Sequence, residues 1–265
     1  MKFKGEQRLG EESINHQGCL MKIISYNDAN NIVVEFQDKY KAEIHTNYQA
    51  FLKGNVKNPY YPCVFDVGII GVKYPSKING KNTKEYIIWR SMLIRCFDEK
   101  YKKRALAYQN VTCCDEWLLF ENFYEWLHSQ ENFDKWNDND GWTLDKDILV
   151  KNNRIYSPMV CLLVPKNVNG LFIKQDRKRG NLPIGVSYCK DRKDNKYRAY
   201  VSMRNLGNKF AKTIGYYNTP EKAFNAYKNF KENIIKQIAQ KEYAKGNITK
   251  QCYESMMNYE VEIDD

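Results

Sequence analysis

Two carboxylates, Asp145 and Asp147, flank Lys146 within the stretch Trp142-Thr-Leu-Asp-Lys-Asp-Ile-Leu149. On a strand, residues two apart face the same side, so the pair is placed to share a magnesium ion with amide or water oxygens. A second use of the same groups stays open, in which the carboxylates brace a turn or pair with Lys151 and Arg154. Asn152-Asn153 marks a turn, Cys161-Leu-Leu-Val164 reads as a second strand, and Pro165 opens a short helix carrying Asn167 and Asn169. Proline suits the first helical position, and the order is strand, strand, helix.

The other residues with chemistry to offer are cationic. The chain has 265 residues and a formal net charge of +10, and affinity for phosphate depends on where such charge clusters. Residues 81–173 carry thirteen basic and thirteen acidic side chains, whereas residues 174–216 carry twelve Lys or Arg against three Asp. The cluster includes Arg177, Lys178 and Arg179 in one run, then Lys190 and Arg192, then Arg198, Arg204 and Lys209. From Gly246 onward the balance reverses to one Lys against five acids.

The elements that must position these groups follow from periodicity. Stretches at Ile184–Cys189, Tyr197–Arg204 and Lys209–Tyr216, joined by turn residues, predict a three-stranded antiparallel sheet. Thr219-Pro220-Glu221 is a helix start, and Ala223, Phe224, Ala226, Tyr227, Phe230, Ile234 and Ile238 form its apolar side. With Tyr197, Ala199, Val201 and Met203 under that helix, alternation turns Arg198, Tyr200, Ser202 and Arg204 outward, joined by Lys209 and Thr213. Arg and Ser or Thr on such a face suit base edges and phosphates in a DNA major groove.

Upstream, Cys19–Tyr26 and Ile32–Phe36 flank the turn Asn27–Asn31, and further apolar pieces at Tyr40–Ile44 and Val64–Val72 predict a small β-barrel within residues 1–75. It reads as a packing module or a contact surface. Tyr86, Trp89, Met92, Leu93 and Cys96 recur at helical spacing, beside the basic run Lys100–Arg104. Trp117, Phe120, Phe123, Trp126 and Leu127 predict a second helix with an aromatic core face. The expected class is α+β: an N-terminal small β-barrel, a central helical plus ββα unit at 84–173, a C-terminal three-stranded antiparallel sheet with one long helix at 180–245, and an acidic tail at 246–265.

Leu144-Asp-Lys-Asp-Ile148, Asn153-Arg-Ile-Tyr-Ser-Pro158, Cys161 and the Asn167–Asn169 helix start resemble the HNH nuclease-like proteins of bacteriophages. So do the preceding blocks Trp89–Cys96 and Glu116–Phe123. The resemblance implies a ββα unit that holds a divalent metal and cuts a phosphodiester, which calls for a base to activate water. Where the family places His at the end of the first strand, this chain offers Lys146 or Asp147, depending on register; His16, His45 and His128 lie outside the ββα segment 141–172. Lys is protonated at neutral pH and Asp is a weak base. The resemblance thus implies Asp145, Asp147, Lys146 and Asn169 as the catalytic set and Asp145 with Asp147 as magnesium ligands.

Gly185-Val186, Tyr197-Arg-Ala199, Ile214-Gly-Tyr-Tyr217 and Thr219–Tyr227 resemble the APETALA2-type DNA-binding domain. The resemblance implies a sheet that docks in a groove of duplex DNA. Ser187, Ser202, Ala211 and Thr213 stand where the plant domains carry Arg or Trp, so no target sequence transfers.

The eight cysteines include no C-x-x-C pair, which points to reduced thiols rather than a structural zinc site. The N-terminus Met1-Lys-Phe-Lys-Gly-Glu lacks the apolar core of a signal peptide, and no run is long enough to span a bilayer. The expectation is a protein of the bacterial host cytoplasm with no membrane partner and no organic cofactor. Its first expected role is double-stranded DNA binding with a degenerate nuclease unit. Two alternatives stay open: a magnesium-dependent homing-type endonuclease, and a counter-defence or regulatory protein that binds a host protein.

Overall fold

The computed structural model describes residues 7–172, 181–202 and 211–263. Arg177, Lys178, Arg179, Arg204 and Lys209, together with Met203, lie outside the described residues. The chain divides into two compact units, one of residues 1–106 and 115–125, the other of residues 107–114 and 126–265. The class is α+β.

The first unit opens with an antiparallel sheet in the order β1 (Glu12–Ile14), β2 (Leu20–Asp28), β3 (Asn31–Phe36) and β4 (Glu43–Thr46). Asp28 shapes the β2–β3 turn, its carboxylate accepting from the Asn30 N–H at 2.7 Å. One face of β2 and β3 buries Met21, Ile23, Ile32, Val34 and Phe36 against helix α1 (Tyr48–Leu52), where Phe51 is fully buried. The expected barrel does not form. β1 and β4 are both edges, and among the described residues no sheet closes.

The reason lies in Val64–Val72, expected to supply another barrel strand. Phe65 and Asp66 adopt φ values of 54° and 60°, and Val64 bridges Gly68, so the segment is a tight turn. Gly68 sits where a Cβ would come within 2.6 Å of Leu93. That close approach belongs to α2 (Lys84–Phe97), which follows the small hairpin β5 (Lys77–Ile78) and β6 (Lys81–Asn82). Thr83 caps α2 by accepting from Tyr86 N–H, and Tyr86, Trp89, Met92, Leu93 and Cys96 are buried as their spacing predicts. Trp89 donates its indole N–H to the Trp117 carbonyl at 2.7 Å. The basic run lies on α3 (Glu99–Arg104), which buries no side chain.

The second unit begins with β7 (Thr112–Cys113). Helix α4 (Phe120–His128) spans the boundary between the two units, and α5 (Phe133–Asp138) follows. Then come β8 (Trp142–Asp145), β9 (Ile155–Tyr156), β10 (Leu162–Pro165) and the one-turn helix α6 (Lys166–Asn169). β8 and β10 pair antiparallel, while β9 pairs in parallel with β7. The C-terminal sheet runs in the order β11 (Val186–Tyr188), β12 (Tyr197–Ser202) and β13 (Ala211–Tyr217), covered by α7 (Pro220–Ala244). The segment from Gly246, read by charge as a tail, contains α8 (Lys250–Met257), with Ile248, Cys252 and Met256 buried. No helix among the described residues is long and apolar enough to cross a membrane.

Gly185, just before β11, has φ +74°, and a Cβ there would run into the buried Tyr227 ring of α7. Gly80 has φ +76° with open space around it. Gly185→Ala should therefore lower unfolding free energy by about 2–4 kcal/mol, and Gly80→Ala by only about 1. Urea unfolding of the two variants beside the parent chain measures the difference.

Candidate nucleic-acid interface and the Asp145 turn

The C-terminal sheet is built by alternation. Val186, Ala199 and Val201 point toward α7 and are buried with Ala223, Phe224 and Tyr227, with Tyr197 and Tyr217 partly buried beside them. The opposite face carries Ser187 from β11, Arg198, Tyr200 and Ser202 from β12, and Ala211 and Thr213 from β13. The three strands contain no Asp or Glu. Lys190 and Arg192 are exposed in the β11–β12 connection.

Strict alternation along β13 from Lys209 and Thr213 would carry Tyr217 outward and Tyr216 inward. The ladder instead shifts register: Ala199 pairs with Gly215, Tyr200 pairs with Thr213, and Ile214 is the extra residue. This bulge exchanges the two tyrosines, so Tyr217 joins the core opposite Tyr197 and Tyr216 joins the outer face opposite Arg198. Glycine within a strand is the sequence signal of such a bulge, and Gly215 was that signal. Lys212, opposite Val201, lies on the helix side with its ammonium 4.8 Å from the centre of the Phe230 ring.

The result is a row of planar groups. The Arg192 guanidinium lies 3.9 Å from the centre of the Tyr216 ring, and Arg198 lies 5.0 Å from that of Tyr200. Arg198 Nε is shielded from solvent without a hydrogen-bond partner among the described residues. Among the described residues its guanidinium packs against the aromatic side chain and makes no ion pair.

The Asp145–Asp147 segment is arranged differently from two neighbours on one strand face. β8 ends at Asp145, so the alternation stops there. Asp145 Oδ1 accepts from the backbone N–H groups of Asp147 at 2.8 Å and Ile148 at 2.9 Å, and the residue is only 7% exposed. Burial pushes its carboxyl up to about 6, against the opposing pull of those two N–H donors. Burial and the charge of Asp145 also push the Cys252 thiol of α8 up to about 12.

Lys146, 6% exposed, donates to both Asp147 oxygens at 2.7 and 2.8 Å and to the Asn153 carbonyl at 2.6 Å. Asn153 closes the loop by donating to the carbonyls of Lys146 and Ile155. Asp147 thus pairs with Lys146, while Lys151 pairs with Glu262 at 2.9 Å. Asn169 is half-buried at the end of α6, and the His128 ring packs 4.0 Å from that of Phe133. Among the described residues no group of three or more His, Cys, Asp or Glu side chains is gathered as a metal site. Asp145 Oδ1 and both Asp147 oxygens are thus engaged within the turn.

In the first unit, Glu121 of α4 accepts from the backbone N–H groups of Val72 and Lys73, both at 2.7 Å, and from the Tyr60 hydroxyl at 3.2 Å. It fastens the loop after the Val64–Gly68 turn. Nothing in the sequence near Glu121 announces that role, because the loop is some fifty residues away. No family model, curated protein or solved structure matches the chain.

Asp145 carries a pH prediction. Its folded-state value lies above the ordinary carboxylate value of 3.8, so the fold favours the protonated form. The resulting stabilisation is full below about pH 4 and is lost as pH rises through about 6. Asp145→Asn keeps an oxygen acceptor for the two N–H groups and removes the buried charge. Its advantage over the parent should grow from near zero at about pH 4 to about 2–3 kcal/mol at about pH 7.5. Asp145→Ala lacks the acceptor and should cost about 1–3 kcal/mol at acid pH. Urea midpoints across that pH range separate the three chains.

Proposed function

We propose that this is a phage-type protein that binds double-stranded DNA through the outer face of β11, β12 and β13, with the β8–β10–α6 unit acting as a non-cutting scaffold. The observation that carries the reading is the sheet face itself. It is free of carboxylates in its strands and presents Arg198, Tyr200, Ser202 and Thr213, with Arg192 and Lys190 at one side. A twisted sheet of this kind fits a major groove, Arg suits the paired acceptors of guanine, and Ser and Thr suit base edges or phosphates. The flanking cations of residues 174–216 add the phosphate attraction that makes such binding salt-dependent.

The non-cutting half of the proposal rests on the Asp145 turn. A nuclease base must be free to take a proton from water. Lys146 is instead engaged by Asp147 and Asn153, and Asp145 by two backbone N–H groups. These contacts support a carboxylate–ammonium brace that holds the strand pair in shape.

Duplex affinity measured by fluorescence anisotropy should fall steeply with rising salt. Arg198→Ala and Arg192→Ala should each weaken binding about 5- to 20-fold at fixed salt, the loss expected of about 1–2 kcal/mol per contact. Binding that ignores salt, or no binding, would overturn the proposal in favour of a protein partner such as a host factor. Incubation with supercoiled plasmid and magnesium or manganese should leave the plasmid intact. Metal-dependent nicking that Asp145→Ala/Asp147→Ala abolishes would restore the endonuclease reading.

A further inference from the structure

We infer that the outer sheet face prefers DNA that exposes an unpaired base, as in a gap or bulge within a duplex, because Arg192, Tyr216, Arg198 and Tyr200 line up as a row of planes able to stack on one. The inference rests on the DNA-binding reading and narrows its ligand.

The row is a product of register. The bulge at Ile214 brings Tyr216 to the outer face directly opposite Arg198, and Tyr200 follows Arg198 two residues along the same strand and face. The Arg192 guanidinium reaches Tyr216 from the β11–β12 connection at 3.9 Å, and Arg198 lies 5.0 Å from the ring centre of Tyr200. Cation and ring thus alternate from the edge strand β13 onto the central strand β12 and along it. Tyr216 keeps 38% of its surface exposed, and Arg198 Nε has no hydrogen-bond partner among the described residues.

A duplex engages the hydrogen-bond donors of this row but leaves its planes without a stacking partner. Its bases turn their faces to one another and show only edges and phosphates to a protein. An unpaired base shows its face, and stacking on an aromatic or guanidinium plane stabilises it by about 1–3 kcal/mol. In an existing gap the cost of unstacking is already met, so the gain appears in affinity. No carboxylate in the three strands opposes the approach of the flanking phosphates.

The test is anisotropy of the full chain, at one salt concentration, on a short intact duplex, the same duplex with a short thymine gap, and a single-stranded thymine oligomer. The gapped duplex should bind about 5- to 10-fold more tightly than the intact one. Tyr216→Phe should keep that ratio, and Tyr216→Leu should bring it to about one, with circular dichroism confirming that both variants fold. Equal affinity of the parent chain for gapped and intact duplex would overturn the inference and leave duplex binding standing. A ratio unchanged in Tyr216→Leu would also overturn it. Failure to bind DNA in any form would instead remove the reading on which the inference rests.

Discussion

The second unit depends on one helix serving two cores. The first half of α7 covers the C-terminal sheet with Ala223, Phe224 and Tyr227, and its second half sends Ile235 and Ala239 into a core with Ile148, Leu162, Val164, Val168, Cys252 and Met256. An isolated helix gains little from its own hydrogen bonds, and its stability comes from the apolar faces it buries. The two-stranded β8–β10 pair is too small to be stable alone in water, and the apolar face of the three-stranded sheet, with Val186, Ala199 and Val201, needs a cover. Sharing α7 supplies each with a cover, and makes the basic sheet and the ββα arrangement one body of contacts.

The chain after Asn258 strengthens the same join. Val261 is buried in the sheet core, where its N–H donates to the Glu232 carboxylate and its carbonyl accepts from the Lys228 ammonium, both at 2.8 Å. Lys151, from the loop after β8, donates to the Glu260 carbonyl at 3.0 Å and pairs with Glu262. Tyr259 touches both cores. One acidic residue of this segment thus has a structural use, Glu262 pairing with Lys151, while Glu232 and Lys228 of α7 seat the apolar Val261.

What the sequence made legible is local. Thr219 was readable as a cap, and the residues buried on α2 and on the first half of α7 as faces, because capping and 3.6-residue periodicity act within a turn or two; Ile235 and Ala239, buried in the second half of α7, were not among the residues read as its apolar side. The β8–β10 order with its following helix was readable for the same reason. Contacts decided at a distance were not. Val64–Val72 has strand composition, yet Gly68 needs the close approach of Leu93 and Trp89, and the segment turns instead of extending. Ile248, Cys252 and Met256 repeat at a spacing of four, a helical signal that the charge of the segment obscured.

At the candidate sites the two kinds of information part most clearly. Residue type made Asp145 and Asp147 look like metal ligands, but the strand ends between them, and a carboxylate at a strand end that finds two backbone N–H groups is a turn-forming group. Residue type also placed Arg198 and Tyr200 on the outer face, correctly by parity, while missing Tyr216 because parity changes at one inserted residue. A single bulge thereby decides whether the face carries one arginine–tyrosine pair or two such pairs side by side. The chemistry open to the sheet follows from that register: cations alone attract any phosphate, whereas cations interleaved with rings can discriminate how the bases behind the phosphates are arranged.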